Sequence, residues 1–216
     1  RLGDFYEMFF EDAQLVSKEL ELTLTGKECG LEERAPMCGV PFHSATTYIS
    51  RLVERGYKVA ICEQLSDPAT SKGLVERAVI RIVTPGTVVD PALLDEKRPS
   101  YVLCVAFSGK QASLAYADVS TGELTVHLLL DADATLRDEL VRILPSEIVT
   151  NDVERLNPYL TADISRTQMR ESAFQKRAAE SELFSHFNVQ NLSSLGMEQK
   201  DKRVIAAGAL LRYLSE

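Results

Sequence analysis

Several features that would assign an enzymatic function are missing from this sequence of 216 residues. Its four cysteines form no C-x-x-C pair and show no metal-ligand spacing, which argues against a zinc site. No G-x-x-x-x-G-K-[ST] phosphate loop is present, so we expect no ATP binding by this chain. No apolar run approaches the roughly 18 residues of a membrane span, and no signal-peptide pattern is present. We therefore expect a cytosolic protein with reduced thiols.

Basic residues are also scarce. The formal net charge is −8, and residues 1–98 and 99–216 each contain 12 Lys and Arg against 16 Asp and Glu. Because a general nucleic-acid binder usually has a basic footprint, any contact with DNA must be local here. Most of the electrostatic attraction would then come from sequence outside this chain. The first residue, Arg1, is not Met, which also indicates a fragment of a longer protein.

Residues 3–10 (GDFYEMFF) are the most distinctive stretch, with four aromatic residues in six positions around one carboxylate, Glu7. In a strand, side chains alternate between faces, so Phe5, Glu7 and Phe9 share one face. The other face is predicted to be core and comprises Tyr6, Met8 and Phe10. An aromatic ring two residues from an acid suits insertion at a base step and hydrogen bonding to an exposed base edge. An ordinary buried strand with one solvated Glu fits the local pattern as well.

Four blocks of sequence, in order and at matching spacing, resemble the bacterial MutS mismatch-repair family. The first is Gly3-Asp4-Phe5-Tyr6-Glu7, which is similar to the Phe-x-Glu mismatch-reading motif of that family. The other three are residues 36–43 (PMCGVPFH), 59–73 (VAICEQLSDPATSKG) and 75–87 (VERAVIRIVTPGT). Beyond residue 100 the resemblance depends mainly on the order and pattern of the elements.

The resemblance implies a mechanism for the opening stretch. Phe5 is expected to wedge beside a mispaired base in the minor groove, around which the duplex kinks. Glu7 is expected to hydrogen-bond to the displaced base, as a donor to a purine nitrogen when it is protonated. Because a mismatched step is poorly stacked, it costs less to deform than a paired step, and this difference supplies much of the discrimination.

Other residues are candidates for contacts to the DNA backbone. Hydroxyl groups, backbone amides and cations together suit phosphate binding, and a histidine just before a helix can also reach a phosphate. The candidates are Lys27, His43, Thr70, Ser71, Lys72 and Arg77. Without the resemblance, a solvated loop and a plain surface histidine explain the same pattern.

The element pattern predicts an α/β protein with two domains. Residues 1–90 would form a mixed-sheet mismatch-recognition domain, with about five strands in one sheet and two helices. Two prolines and a run of charged residues identify residues 91–99 as a linker. Residues 100–216 would form the connector domain, truncated at its C-terminus.

In the connector domain, three strand candidates in a row are followed by helices that alternate with short strands. The strand candidates are residues 101–107, 112–119, 123–130, 147–150 and 162–165. An Ala- and Leu-rich helix is predicted at residues 203–214. This order predicts a ribonuclease-H-like layout, which is the architecture of the connector domain in the MutS family.

A ribonuclease-H-like layout raises the question of a nuclease, which needs carboxylates on neighbouring strands around two metal ions. The strand at residues 101–107 contains no acid, and Asp118 stands alone near the end of the next strand. We therefore expect no catalytic residue and no metal site. The other alternative is a MutS-like paralogue that acts on branched DNA, and the presence of both Phe5 and Glu7 favours mismatch reading over it.

The resemblance also implies partners and cofactors. Full-length members of the family are DNA-dependent ATPases that use ATP and Mg²⁺ at a site near the C-terminus, outside this sequence. Their connector domain relays the nucleotide signal and offers a docking surface to MutL, and the missing parts form a homodimer. We therefore expect mismatched double-stranded DNA and MutL as partners, no membrane, and a location in the bacterial cytosol with the nucleoid.

Overall fold

The computed structural model describes residues 1–30, 32–66, 75–88 and 100–215. The chain divides into two compact units, Arg1–Thr84 and Pro85–Glu216. Each unit combines helices with strands, which confirms the predicted α/β class with two domains. The predicted linker, residues 91–99, lies outside the described residues and stays a prediction. In the part of the chain that the structure describes, no helix is both long enough and apolar enough to cross a membrane.

Among its described residues, the first unit contains five strands and two helices, the numbers that were predicted. The strands are β1 (Phe5–Phe9), β2 (Thr25–Lys27), β3 (Ala35–Pro41), β4 (Val59–Gln64) and β5 (Arg77–Val83). The helices are α1 (Phe10–Glu19) and α2 (Ala45–Glu54). The strands form two antiparallel sheets, one in the order β1-β3-β2 and one of β4 with β5. The expectation of one sheet of about five strands is therefore wrong.

The first residues of the chain fold back against the start of β1. Leu2 and Phe5 exchange both backbone hydrogen bonds, at 2.8 and 3.2 Å, across a two-residue turn. Gly3 lies in that turn at φ +59°, a conformation that glycine adopts without strain. The backbone nitrogen of Arg1 then donates to the carbonyl of Cys62 in β4, at 2.5 Å. Within the described residues, isolated contacts, and no β ladder, therefore link β1 and the residues before it to β4.

Helix α1 covers the back of the β1-β3-β2 sheet and forms a small core with it. The buried members of this core are Ala13, Val16, Leu20, Cys38 and Leu52, and Met8 packs against them. Phe10 was predicted to belong to the same core but is 51% exposed. The strand ends at Phe9, and Phe10 adopts φ +52° as the helix begins. The alternation of a strand therefore no longer applies at Phe10.

The second unit is a five-stranded sheet with helices on both faces. Its strands are β6 (Tyr101–Ser108), β7 (Gln111–Asp118), β8 (Glu123–Leu129), β9 (Glu147–Thr150) and β10 (Ser165–Gln168). Its helices are α3 (Ala132–Ile143), α4 (Val153–Leu156), α5 (Lys176–Phe187) and α6 (Arg203–Ser215). The order is β10-β9-β6-β7-β8; β6 to β8 are antiparallel, and β9 and β10 run parallel to β6. This is the predicted ribonuclease-H-like layout, with the last strand three residues later than expected.

Strand β6 is apolar at almost every position because both of its faces are buried. Val102, Cys104 and Ala106 belong to the core that contains residues of α5 and α6. The alternate residues belong to the core on the α3 side and are Leu103, Val105 and Phe107. An uninterrupted apolar run of this length therefore marks the central strand of a sheet covered on both sides.

Candidate nucleic-acid interface

The predicted face of β1 is present in the structure. The alternation along the strand places Phe5, Glu7 and Phe9 on one side of the β1-β3-β2 sheet, which we call the Phe5 face. Phe5 is 47% exposed, so its ring is accessible from this side of the sheet. An exposed ring at the edge of a sheet offers an apolar surface to a partner.

A glycine in β3 keeps the centre of the Phe5 face open. Gly39 lies directly opposite Glu7 in the antiparallel register. A Cβ at Gly39 would lie 3.5 Å from Cγ of Glu7 and 3.8 Å from Cδ1 of Phe5. Both are ordinary contact distances, and the tightest neighbour of such a Cβ would be the backbone oxygen of Tyr6, at 3.2 Å. Sequence analysis missed this residue, although a glycine inside a strand often marks a close approach by another group.

The Glu7 carboxylate has a cation beside it. Nζ of Lys27, the last residue of β2, lies 2.5 Å from Oε2 of Glu7 and forms a charged hydrogen bond with it. The same ammonium lies 5.5 Å from the centroid of the Phe9 ring, within the range of a cation–π contact. Lys27 was predicted as a contact to the DNA backbone, and the structure brings it to the mismatch-reading candidate itself.

The opposite side of β1 is tied to the second sheet of this unit. The Tyr6 hydroxyl donates a hydrogen bond to Oε1 of Glu63 in β4, and Arg1 lies 3.8 Å from the other oxygen of that carboxylate. Burial, followed by the hydrogen bond to Glu63, raises the pKa of Tyr6. These contacts hold β1 from behind, so the Phe5 face is presented by a fixed strand.

Two further backbone candidates lie within the described residues. His43 is exposed in a 3₁₀ turn, Phe42–Ser44, immediately before α2. Arg77 opens β5 and donates to two backbone carbonyls, those of Arg1 at 3.2 Å and Val75 at 3.1 Å. The remaining three candidates lie outside the described residues and are Thr70, Ser71 and Lys72.

The carboxylate considered for nuclease chemistry is engaged in a turn. Oδ1 of Asp118 accepts hydrogen bonds from the backbone N–H of Ser120 at 2.9 Å and from its hydroxyl at 2.6 Å. This arrangement fits the end of a strand, where aspartate side chains commonly hold turns. Among the described residues, no group of three His, Cys, Asp or Glu side chains is placed to hold a metal ion.

A cavity of about 220 Å³ lies near the end of β6 and the start of β7 in the second unit. Several of the polar side chains that line it already have partners. Nζ of Lys202 donates to Gln111 at 2.5 Å, and the Asn151 amide exchanges two hydrogen bonds with the backbone of Phe107. These side chains of the cavity wall are therefore engaged within the protein.

Comparison with known families finds two matches, one in each half of the chain. The model of MutS domain I matches residues 1–92, and that of MutS domain II matches residues 100–216.

Curated relatives agree with both matches. The DNA mismatch repair protein MutS of Ruminiclostridium cellulolyticum is 47% identical over 99% of this chain and 25% of its own length. That of Acetivibrio thermocellus is 47% identical over 100% of this chain and 25% of its length. That of Clostridioides difficile is 48% identical over 99% of this chain and 22% of its length.

The chain spans about a quarter of the length of the curated relatives it matches. Two domain matches that together cover almost all of the sequence, with nearly half of the residues identical to these relatives, are sufficient to assign the family. The chain belongs to the MutS family of DNA mismatch repair proteins, of which it contains domains I and II.

Proposed function

We propose that this chain binds mismatched double-stranded DNA, with Phe5 as a wedge in the minor groove and Glu7 as a hydrogen-bonding partner of the mispaired base. The observation that carries the proposal is the pairing of an exposed aromatic ring with a carboxylate on one open strand face, opposite Gly39. Domain I of the family matches the residues that form this face.

The energetic argument starts from the exposed ring. Stacking of a base on an aromatic side chain contributes about 1–3 kcal/mol, as judged by alanine substitution. Bending a short duplex by a large angle costs on the order of 1–6 kcal/mol. Stacking by Phe5 can offset that cost at a mispair, where the step is already loosened, more readily than at a well-stacked pair. One wedge can therefore serve many different mispairs.

Affinity from electrostatics is weak in this chain by itself. The net charge is −8, and Arg77 and Lys27 already have partners within the chain. His43 is exposed and can approach a phosphate. We propose that these residues, with Thr70, Ser71 and Lys72, position the backbone locally. The rest of a full-length homodimer would supply most of the counterion release that drives DNA binding.

We propose that the second unit transmits a signal and provides a docking surface, and that it has no catalytic role. Support comes from the match to domain II and from the engagement of Asp118 in a turn. In this account ATP and Mg²⁺ bind elsewhere in the full-length protein, and the second unit relays that state and offers a surface to MutL. The proposed location is the bacterial cytosol, at the nucleoid.

The experiment compares the affinity of the full-length protein for a G·T-mismatched and a fully paired duplex at one fixed salt concentration. We expect Phe5→Ala to lower the mismatch affinity by roughly tenfold to a hundredfold, the equivalent of one lost stacking contact, with little change on paired DNA. Phe10→Ala is the matched control, because Phe10 is as exposed as Phe5 but lies beyond the strand. A preference that survives Phe5→Ala, or falls equally in both variants, would contradict the wedge.

A further inference from the structure

We infer that Lys27 is the positioning residue of Glu7, a counter-ion that holds its carboxylate on the Phe5 face and offsets its charge before DNA arrives. The inference rests on the proposed function and assigns Lys27 a different primary role from a contact to the DNA backbone.

The ion pair of Lys27 and Glu7 connects the two outer strands of the sheet. Glu7 lies in β1 and Lys27 ends β2, with β3 paired between those two strands. The two charged groups nevertheless meet at 2.5 Å. A contact at this distance between residues on opposite outer strands fixes the direction of both side chains.

Burial is unequal within the pair. The Glu7 side chain is 16% exposed, whereas that of Lys27 is 41% exposed. The carboxylate is therefore largely withdrawn from water and depends on its partner for compensation, because a partly buried charge without a partner is costly. The ammonium also contacts the Phe9 ring, which further restricts where it can move.

An anion on a surface that approaches DNA has an electrostatic disadvantage. Phosphates repel the Glu7 carboxylate, and the repulsion grows as water is excluded from the interface. A paired Lys27 cancels that charge at short range while leaving the second oxygen of the carboxylate to face a base. Lys27 would thus allow the protein to place an acid against a base edge.

The two roles of Lys27 predict different behaviour. If Lys27 contacts a phosphate, its removal should lower the affinity for mismatched and paired DNA alike. The dependence of log affinity on log salt concentration should also become shallower, by about 1 in slope. A counter-ion of Glu7 matters where Glu7 enters the duplex, so its removal affects mismatched DNA selectively. The effect should also disappear once Glu7 carries no charge.

The test uses four versions of the full-length protein: wild type, Lys27→Met, Glu7→Gln and the double variant. Affinities for mismatched and paired duplexes are measured over a series of salt concentrations. We expect Lys27→Met to weaken mismatch binding by about fivefold, in the range of coupling between contacting residues. In the Glu7→Gln background the same change should leave both absolute affinities unaltered. Lys27→Arg should retain the mismatch affinity, and Lys18→Met, at an exposed lysine of α1, controls for loss of any cation.

Equal losses on both duplexes in both backgrounds, with a shallower salt slope, would overturn the inference and make Lys27 a phosphate contact. An unchanged mismatch affinity in Lys27→Met would overturn it as well. Far-UV circular dichroism of each variant separates these outcomes from misfolding. A wild type without any mismatch preference would instead refute the proposed function, so the two failures are distinguishable.

Discussion

The close contact between α5 and α6 predicts that a glycine-to-alanine substitution, which usually stabilises a helix, destabilises this protein. Gly208 in α6 faces Ala179 in α5 so closely that a Cβ on Gly208 would lie 2.3 Å from Cα and 2.4 Å from the carbonyl oxygen of Ala179. Non-bonded carbon atoms prefer separations of about 3.5–4.0 Å. The helices would therefore have to move apart by more than about 1 Å to accept one methyl group.

The size of the effect follows from two opposing contributions. At an open helical position, replacing glycine by alanine stabilises a protein by about 1 kcal/mol. Overpacking a core costs about 1–3 kcal/mol, and more when backbone atoms cannot move aside. The atoms that oppose the new methyl include Cα and the carbonyl oxygen of Ala179, so the cost should reach or exceed the upper value. We expect Gly208→Ala to reduce the free energy of unfolding by about 2 kcal/mol.

Urea denaturation followed by far-UV circular dichroism is the assay, since the chain has no tryptophan. With a typical slope of about 2 kcal/mol/M, the midpoint of the transition of the second unit should fall by about 1 M. Ser215→Ala, at an exposed position near the end of the same helix, should change stability by less than about 0.5 kcal/mol. A Gly208→Ala protein that is as stable as wild type, or more stable, would refute the close packing of these helices.

Three further predictions concern other positions. In Gly39→Val, the branched side chain would occupy the space opposite the Glu7 carboxylate on the Phe5 face. A steric conflict of roughly 1 kcal/mol should lower the ratio of mismatched to paired affinity by at least about fivefold. An unchanged ratio would show that the space is not needed. Hydrogen bonds from Arg203 lower the pKa of Asp201, so the ionised carboxylate stabilises the folded state. This stabilisation is present above the unfolded pKa of about 3.9 and is lost as the pH falls through the lower pKa of the folded state. Asp201→Asn should therefore lose less stability than wild type during acid titration below about pH 4, and parallel curves would contradict this. Cys29 is exposed, whereas Cys104 is fully buried and burial raises its pKa, so a thiol reagent should modify Cys29 in the native protein and Cys104 only after unfolding. Equal rates at the two sites would contradict the fold of the second unit.

The local sequence pattern was sufficient to predict those strands and helices whose structure depends mainly on their own residues. Strand β6 is buried on both faces, and its continuous apolar run identified it in sequence. The alternation of Phe5 and Glu7 along β1 likewise predicted which side chains share a face. Pattern failed at Phe10, because no glycine or proline marks the change from strand to helix and a positive φ at phenylalanine is rare.

Contacts between distant segments could not be predicted from the pattern. The pair of Lys27 and Glu7 depends on β3 lying between two strands that are not adjacent in space. The division of the first unit into two sheets is likewise a matter of tertiary structure. Gly39 offered a signal in sequence, but its position opposite Glu7 is known only from the register.

The central claim is that the Phe5 ring enters the duplex at the mispair, and site-specific photocrosslinking tests it most directly. Benzoylphenylalanine would replace Phe5 in the full-length protein, and in a parallel protein it would replace Phe10, which is equally exposed. After irradiation with a G·T-mismatched duplex, we expect crosslinks from position 5 at the mispair and its neighbouring step, with much lower yield on paired DNA. Crosslinks from position 10 should not accumulate at the mispair. Crosslinks from position 5 that are spread along the duplex, or that form equally on paired DNA, would contradict the account.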